Sequence, residues 1–254
     1  MLETHHLSVR FGGHVAVDAV SCAFQPGTLT AIVGPNGAGK TTYFNLISGQ
    51  LPATGGRVVL DGRELTHLAA PQRARAGLGR AFQLTQLFPH LSVLENVRLV
   101  VQARLGQGLR LFSTWLSHRA LIDEAQALLE RVRLGARADA VAASLSHGDQ
   151  RKLEVAMLMA LRPRVYLFDE PTAGMSVDDV PVILDLIRAL KQEGGHTILL
   201  VEHKMDVVRE LADRIVVLHQ GRLVADGEPA SVIAAPIVQQ AYLGTLAADE
   251  GVAA

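Results

Sequence analysis

The chain has 254 residues, enough to bury a substantial core, and its 24 Lys plus Arg against 25 Asp plus Glu leave a formal charge of −1, so no broad electrostatic drive favours nucleic acid. Although 49% of the residues are hydrophobic, no apolar run approaches the roughly 20 residues that a bilayer-spanning helix needs, and MLETHHLSVRFGG lacks the basic and apolar regions of a secretory signal. The one cysteine, Cys22, forms no internal disulfide, and the ten histidines show no zinc-type spacing, so we expect a cytoplasmic chain without a structural metal.

In chain order, HLSVRF, VSCAF and LTAIV read as short strands broken by Gly12-Gly13 and Pro26-Gly27. GPNGAGKTTYFNLISG then runs as a glycine loop into an apolar helix ending near Gly49. From about 84 to 145 the pattern predicts a mostly helical insertion, in which Leu121, Ala125, Leu128, Leu129 and Val132 recur at helical spacing. The apolar segment 153–161 predicts a buried helix. Strands follow at VYLF (165–168) and HTILLV (196–201), with helices near 178–192 and 204–212 and a closing hairpin RIVVLHQGRLVADG. Such alternation predicts an α/β fold with a largely parallel sheet covered on both faces. Ser176 with Asp179, ahead of Val180 and Ile183, resembles a capping box.

Gly34 to Thr41 matches GxxxxGK[ST] in full, between a predicted strand and helix. In such a loop backbone N–H groups converge on phosphate oxygens, Lys40 reaches the terminal phosphates, and the Thr41 hydroxyl can ligate Mg²⁺. Asp169 and Glu170 end the strand VYLF, where the open end of a parallel sheet presents ligand groups. One carboxylate can hold magnesium, and Glu170 is the candidate to orient or deprotonate an attacking water. His203, after TILLV, could hydrogen-bond a phosphate oxygen; by itself it reads more often as an ordinary loop residue, so this role rests on the combined pattern.

These motifs together resemble the ATP-binding subunits of ABC transporters over about Leu7 to Gly244: GPNGAGKTT, Gln83 in AFQLTQLFP, the signature-like LSHGDQ, VYLFDEP and VEHKM stand in the family's order. The resemblance implies a P-loop cassette with a parallel-sheet core, an N-terminal antiparallel β subdomain and a helical insertion. It divides the chain into an α/β core (1–83 and 150–235), a helical subdomain bearing the signature (84–149) and a tail (236–254). It implies ATP and Mg²⁺ as ligands, with Gly34, Asn36, Gly37, Gly39, Lys40, Thr41 and Thr42 cradling the nucleotide and its metal. Gln83 would touch Mg²⁺ and sense the membrane partner, Asp169 would bind Mg²⁺ through water, Glu170 would be the catalytic base and His203 the switch histidine. Phe11 matches the aromatic that stacks on adenine; read locally, it is equally a core aromatic beside Gly12-Gly13. Ser146 and Gly148 would reach the γ-phosphate held by an opposite subunit.

Three residues depart from the family pattern: His147 in place of glycine, Asp149 in place of glutamine and Ser176 in place of aspartate. A serine hydroxyl, backbone N–H groups and a helix start tolerate a side chain at 147 that points away from phosphate. The AGMS loop and the tail PIVQQAYLG are similar to the branched-chain and hydrophobic amino-acid importer branch. That branch implies transmembrane permease subunits, a second ATPase subunit of the same or a related kind, indirect work with a periplasmic substrate-binding protein, and a place on the inner face of the cell membrane. A lipid or polysaccharide exporter ATPase would carry the same motifs. A soluble ABC ATPase without a transport role is the other alternative.

Overall fold

The hairpin of β1 (Leu2–Phe11) and β2 (His14–Phe24) turns at Gly12-Gly13, which pairs Phe11 with His14, the short loop that antiparallel strands favour. Along β1, Leu2, Thr4, Leu7 and Val9 are buried. With β4 (Gly55–Leu60) and β5 (Arg63–Glu64) the hairpin forms an antiparallel sheet of order β2-β1-β4-β5. This computed structural model describes residues 1–81, 87–106 and 119–240.

The second sheet is built from β3 (Leu29–Val33), β7 (Val165–Asp169), β8 (Thr197–Val201), β9 (Arg214–His219) and β10 (Arg222–Gly227), in the order β10-β9-β3-β8-β7, with β6 (Leu78–Ala81) outermost. Every residue of β3, β7 and β8 is buried, as befits parallel strands covered on both faces. β9 also runs parallel to β3, and β10 returns antiparallel as the closing hairpin that the sequence predicts. One apolar core joins Leu7, Val17 and Phe24 of the antiparallel sheet to Tyr43, Phe44 and Ile47 of α1 (Lys40–Ser48) and to Leu167, Leu199 and Val216 of the parallel sheet. A smaller cluster covers the other face with Val208 of α7 (Met205–Leu211) and Val232 of α8 (Pro229–Ala234).

Apart from β6, most of which falls in the other, these elements form one compact unit, of residues 1–78, 164–170 and 191–240; the other is drawn from 79–163 and 171–190. In the second unit α3 (Val93–Arg104), α4 (Arg119–Arg131) and α5 (His147–Leu161) pack on one another. The helical spacing in α4 is realised, with Leu121, Ala125, Leu128 and Leu129 all buried. Asn96 is fully buried and binds both backbone groups of Phe88, its Oδ1 accepting at 2.8 Å and its Nδ2 donating at 3.1 Å. The unit's limits differ from the sequence-based division at 84–149, because α5 packs with α3 and α4 and stays with them to its end. Among the described residues no helix is long and apolar enough to cross a membrane.

Arg73 of α2 (Ala70–Arg75) is 2% exposed, and its guanidinium donates to four carbonyl oxygens: Leu46 (2.6 Å), Thr66 (2.7 Å), Ile47 (2.8 Å) and Leu68 (2.9 Å). Two of these, Leu46 and Ile47, are carbonyls at the C-terminal end of α1, where a cation is favoured. Burial pulls the guanidinium below its ordinary range, yet the carbonyl bonds replace the water it has lost. Arg73→Met should strand these carbonyls and lower the unfolding free energy by about 2–4 kcal/mol, read as a reduced midpoint in urea denaturation.

Candidate functional site

The loop from β3 to α1 wraps around a lysine. Lys40 is 5% exposed, and its Nζ donates to the carbonyls of Gly34 (2.6 Å) and Pro35 (2.9 Å). Burial lowers its pKa, while Glu170 and Asp169 oppose that shift; both carboxylates therefore act on the same ammonium. Lys40, Thr41 and Thr42 form the first turn of α1, whose N–H groups have no intrahelical acceptor and carry the positive end of the helix. Gly34 has a different reason to be glycine. Its φ is +151°, and a Cβ there would lie 2.1 Å from the carbonyl oxygen of Leu218 in β9, so it lets the loop start pass close to the sheet.

Asp169 closes β7 and is 2% exposed. Glu170 follows with φ +49° and donates its N–H to the carbonyl of Val201 at 3.0 Å, so the chain turns sharply while still tethered to β8. Its Oε1 lies 2.7 Å from Nε2 of His203, which in turn donates its backbone N–H to the Glu202 carboxylate. The ends of adjacent strands β7 and β8 thus deliver a paired carboxylate and imidazole.

A cavity of about 420 Å³ is lined by Phe11, His14, Ala16, Asn36, Gly37, Ala38, Gly39, Lys40, Thr41, Thr42, Glu170 and His203. That size falls within the range of small-molecule sites. Phe11 is 50% exposed and lines the cavity, so it is no core residue. His14 and Ala16 were not singled out in the sequence. The signal was available, since a two-residue turn at Gly12-Gly13 places residue 14 opposite Phe11. Gln83 lies outside the described residues.

Ser146 and Gly148 sit at the start of α5, in the second unit. Ser146 is the N-cap and accepts from the N–H of Asp149 at 3.2 Å. The ring of exposed His147 leans on Gly174: a Cβ added there would lie 3.4 Å from Nε2. Gly148 is pressed by Asp179, whose Oδ2 would be 2.4 Å from an added Cβ. Ser176 forms half of the predicted capping box, its Oγ accepting from the N–H of Asp179 at 3.3 Å. The Asp179 carboxylate accepts instead from the Ser176 hydroxyl and pairs with Lys152.

A family profile described as ABC transporter matches residues 17–173. The chain is 39% identical to the high-affinity branched-chain amino acid transport ATP-binding protein LivG of Escherichia coli K12 over 96% of its length and 98% of the relative's. It is equally similar to BraF of Pseudomonas aeruginosa, which bears the same description, with 39% identity and the same coverage. Among solved structures it resembles the ADP conformation of an ATP-binding cassette of an ABC transporter, with 30% identity, a TM-score of 0.81 and coverage of 96% of this chain and 98% of the other. A nucleotide-free cassette is similar, at 29% identity, TM-score 0.81 and coverage of 95% and 98%. A P-loop between parallel strand and helix, a carboxylate pair at the end of β7 in the same sheet and this likeness over almost the whole length agree: the chain is an ATPase of the ABC transporter family.

Proposed function

We propose that this chain is the ATP-binding and hydrolysing subunit of an importer for branched-chain or related hydrophobic amino acids, or for small carboxylates and amides. The observation that carries the chemistry is the single cavity in which the phosphate loop, Glu170, His203 and Phe11 meet. Support for the substrate class is the likeness to LivG and BraF along nearly the full chain.

The residues present fit a magnesium nucleotide. Lys40 and the first turn of α1 supply positive charge for phosphates, and the exposed Phe11 ring offers a face for adenine. The Thr41 hydroxyl and Asp169 would hold Mg²⁺, a hard cation suited to oxygen donors, with Gln83 completing the set. When bound, Mg²⁺ neutralises charge on the phosphate oxygens. Glu170, held at its strained turn by β8, would accept a proton from the attacking water. His203 would steady that carboxylate through the 2.7 Å contact and offer a hydrogen bond toward the γ-phosphate.

Ser146 and Gly148 point to a partner. Ser146 is exposed at the start of α5 and Gly148 is buried two residues on; this helix start would close over a nucleotide bound by a second ATPase subunit, identical or related. Closure would drive transmembrane permease subunits at the inner face of the membrane, with a periplasmic substrate-binding protein acting indirectly and nucleic acid having no part.

Glu170→Gln should lower phosphate release roughly 10²- to 10⁴-fold while leaving binding of a fluorescent ATP analogue intact, whereas Phe11→Ala should weaken that binding about tenfold. Equal loss of binding in both variants would contradict the division of roles. Tagging the chain in its native cells and identifying proteins that co-purify from detergent-solubilised membranes tests the transport reading. Multi-span proteins with a second ATPase are expected; recovery only with ribosomal or repair proteins would overturn import in favour of a soluble role.

A further inference from the structure

Asp149 poses an electrostatic problem. It is the third residue of α5, where a carboxylate stabilises the helix itself but opposes any phosphate that approaches the same end. The structure places a counter-charge one turn away. Lys152 is 7% exposed, and its Nζ lies 3.0 Å from Oδ1 of Asp149 and 2.5 Å from Oδ1 of Asp179. Asp179 in turn accepts from the hydroxyl of Ser176 through Oδ2 at 2.8 Å. A single buried ammonium thus joins the start of α5 to the segment after Glu170, within one compact unit.

We propose that Lys152 is a positioning residue for Ser146 and Gly148. By binding Asp149 it draws that carboxylate away from the phosphate-facing start of α5, and through Asp179 and Ser176 it fixes this start against the following loop. The inference rests on the reading that Ser146 and Gly148 meet the nucleotide of a second subunit.

Three features support it. Gly148 has no side chain where Asp179 stands, so the carboxylate can approach the helix start closely enough to share the lysine. Burial alone would depress the Lys152 pKa, but its bonds to Asp179 and Asp149 outweigh that and hold it above the ordinary lysine range. The Asp179 carboxyl is held below its usual range by the same lysine and by Ser176. Lys152 and Asp179 therefore carry full charge at neutral pH, and the ammonium lies within ion-pair distance of both carboxylates. Serine at 176 suits this arrangement, since its hydroxyl donates a hydrogen bond to Asp179 where a third carboxylate would repel it.

The test separates a charge-positioning role from a packing role. In a Glu170→Gln background, which holds ATP unhydrolysed, dimer formation is followed by light scattering across ATP concentrations. Lys152→Met should raise the ATP concentration for half-dimerisation about tenfold, because an uncompensated carboxylate then faces phosphate. Adding Asp149→Gln to Lys152→Met should restore it to within about twofold, and Lys152→Arg should resemble the parent. If Lys152→Met does not change dimerisation, or if Asp149→Gln fails to rescue it, the proposal is overturned. Melting temperature is read alongside; should Lys152→Met not fold, the same comparison is made with Lys152→Gln. A parent chain that forms no dimer with ATP, alone or with its co-purified ATPase, overturns the two-subunit reading and this inference together, whereas a dimerising parent with an indifferent Lys152→Met overturns this inference alone.

Discussion

A lysine ammonium that has lost nearly all contact with solvent must be stabilised by the protein, and in this chain Lys40 is stabilised by its own loop and by two carboxylates from the sheet beside it. That constraint orders much of the first unit. The carbonyls of Gly34 and Pro35 face Lys40 only if the loop folds back over the start of α1. Gly34 permits the fold-back by passing close to Leu218, and the close passage depends on β9 lying directly beside β3. The carboxylates arrive because β7 and β8 run parallel and end together, with Asp169 paired to Val201 in register. The charge that a nucleotide would neutralise is thus supplied by sheet order.

The same unit secures the far end of α1 by different means. A nine-residue helix is too short to be stable alone, so its position must come from tertiary contacts. Tyr43, Phe44, Leu46 and Ile47 bury its apolar side in the joint core of the two sheets, and the Arg73 guanidinium binds its last carbonyls. Apolar packing fixes where the helix lies, while the guanidinium resists its sliding along its own axis. The antiparallel sheet contributes to this core and also presents Phe11 and His14 at its turn, so one layer both supports α1 and lines the cavity at its N-terminus.

Local chemistry made some of this legible in the sequence and left the rest hidden. The phosphate loop, the buried strands β3, β7 and β8, the closing hairpin and the burial face of α4 follow from short-range pattern alone, and the structure shows each. β1 begins at Leu2 and β2 at His14, earlier than the short apolar runs HLSVRF and VSCAF suggest, because polar residues such as Thr4 and Asp18 precede those runs. Thr4 nevertheless is buried, its Oγ1 2.7 Å from the hydroxyl of Tyr43 on α1, a partner 39 positions away. Arg73 is similar: nothing near residue 73 indicates that its acceptors lie at the end of another helix. Side chains whose partners are remote in sequence escape a reading built on spacing.

The departures at 147, 149 and 176 show how a reading residue by residue misleads when the residues act as a set. Taken singly, Asp149 looks like a charge placed against phosphate and Ser176 like a missing carboxylate. In the structure each is half of a pair. Asp149 is neutralised by Lys152, and the carboxylate absent from 176 stands three residues later as Asp179, bonded to both Ser176 and the same lysine. His147 turns toward Gly174, which holds a positive φ of +71° and meets the ring at ordinary contact distance. What the segment after Glu170 and the start of α5 require is a hydrogen-bonded, charge-compensated junction. A serine, two aspartates and a lysine satisfy that requirement here through a distribution of charge that no single position reveals.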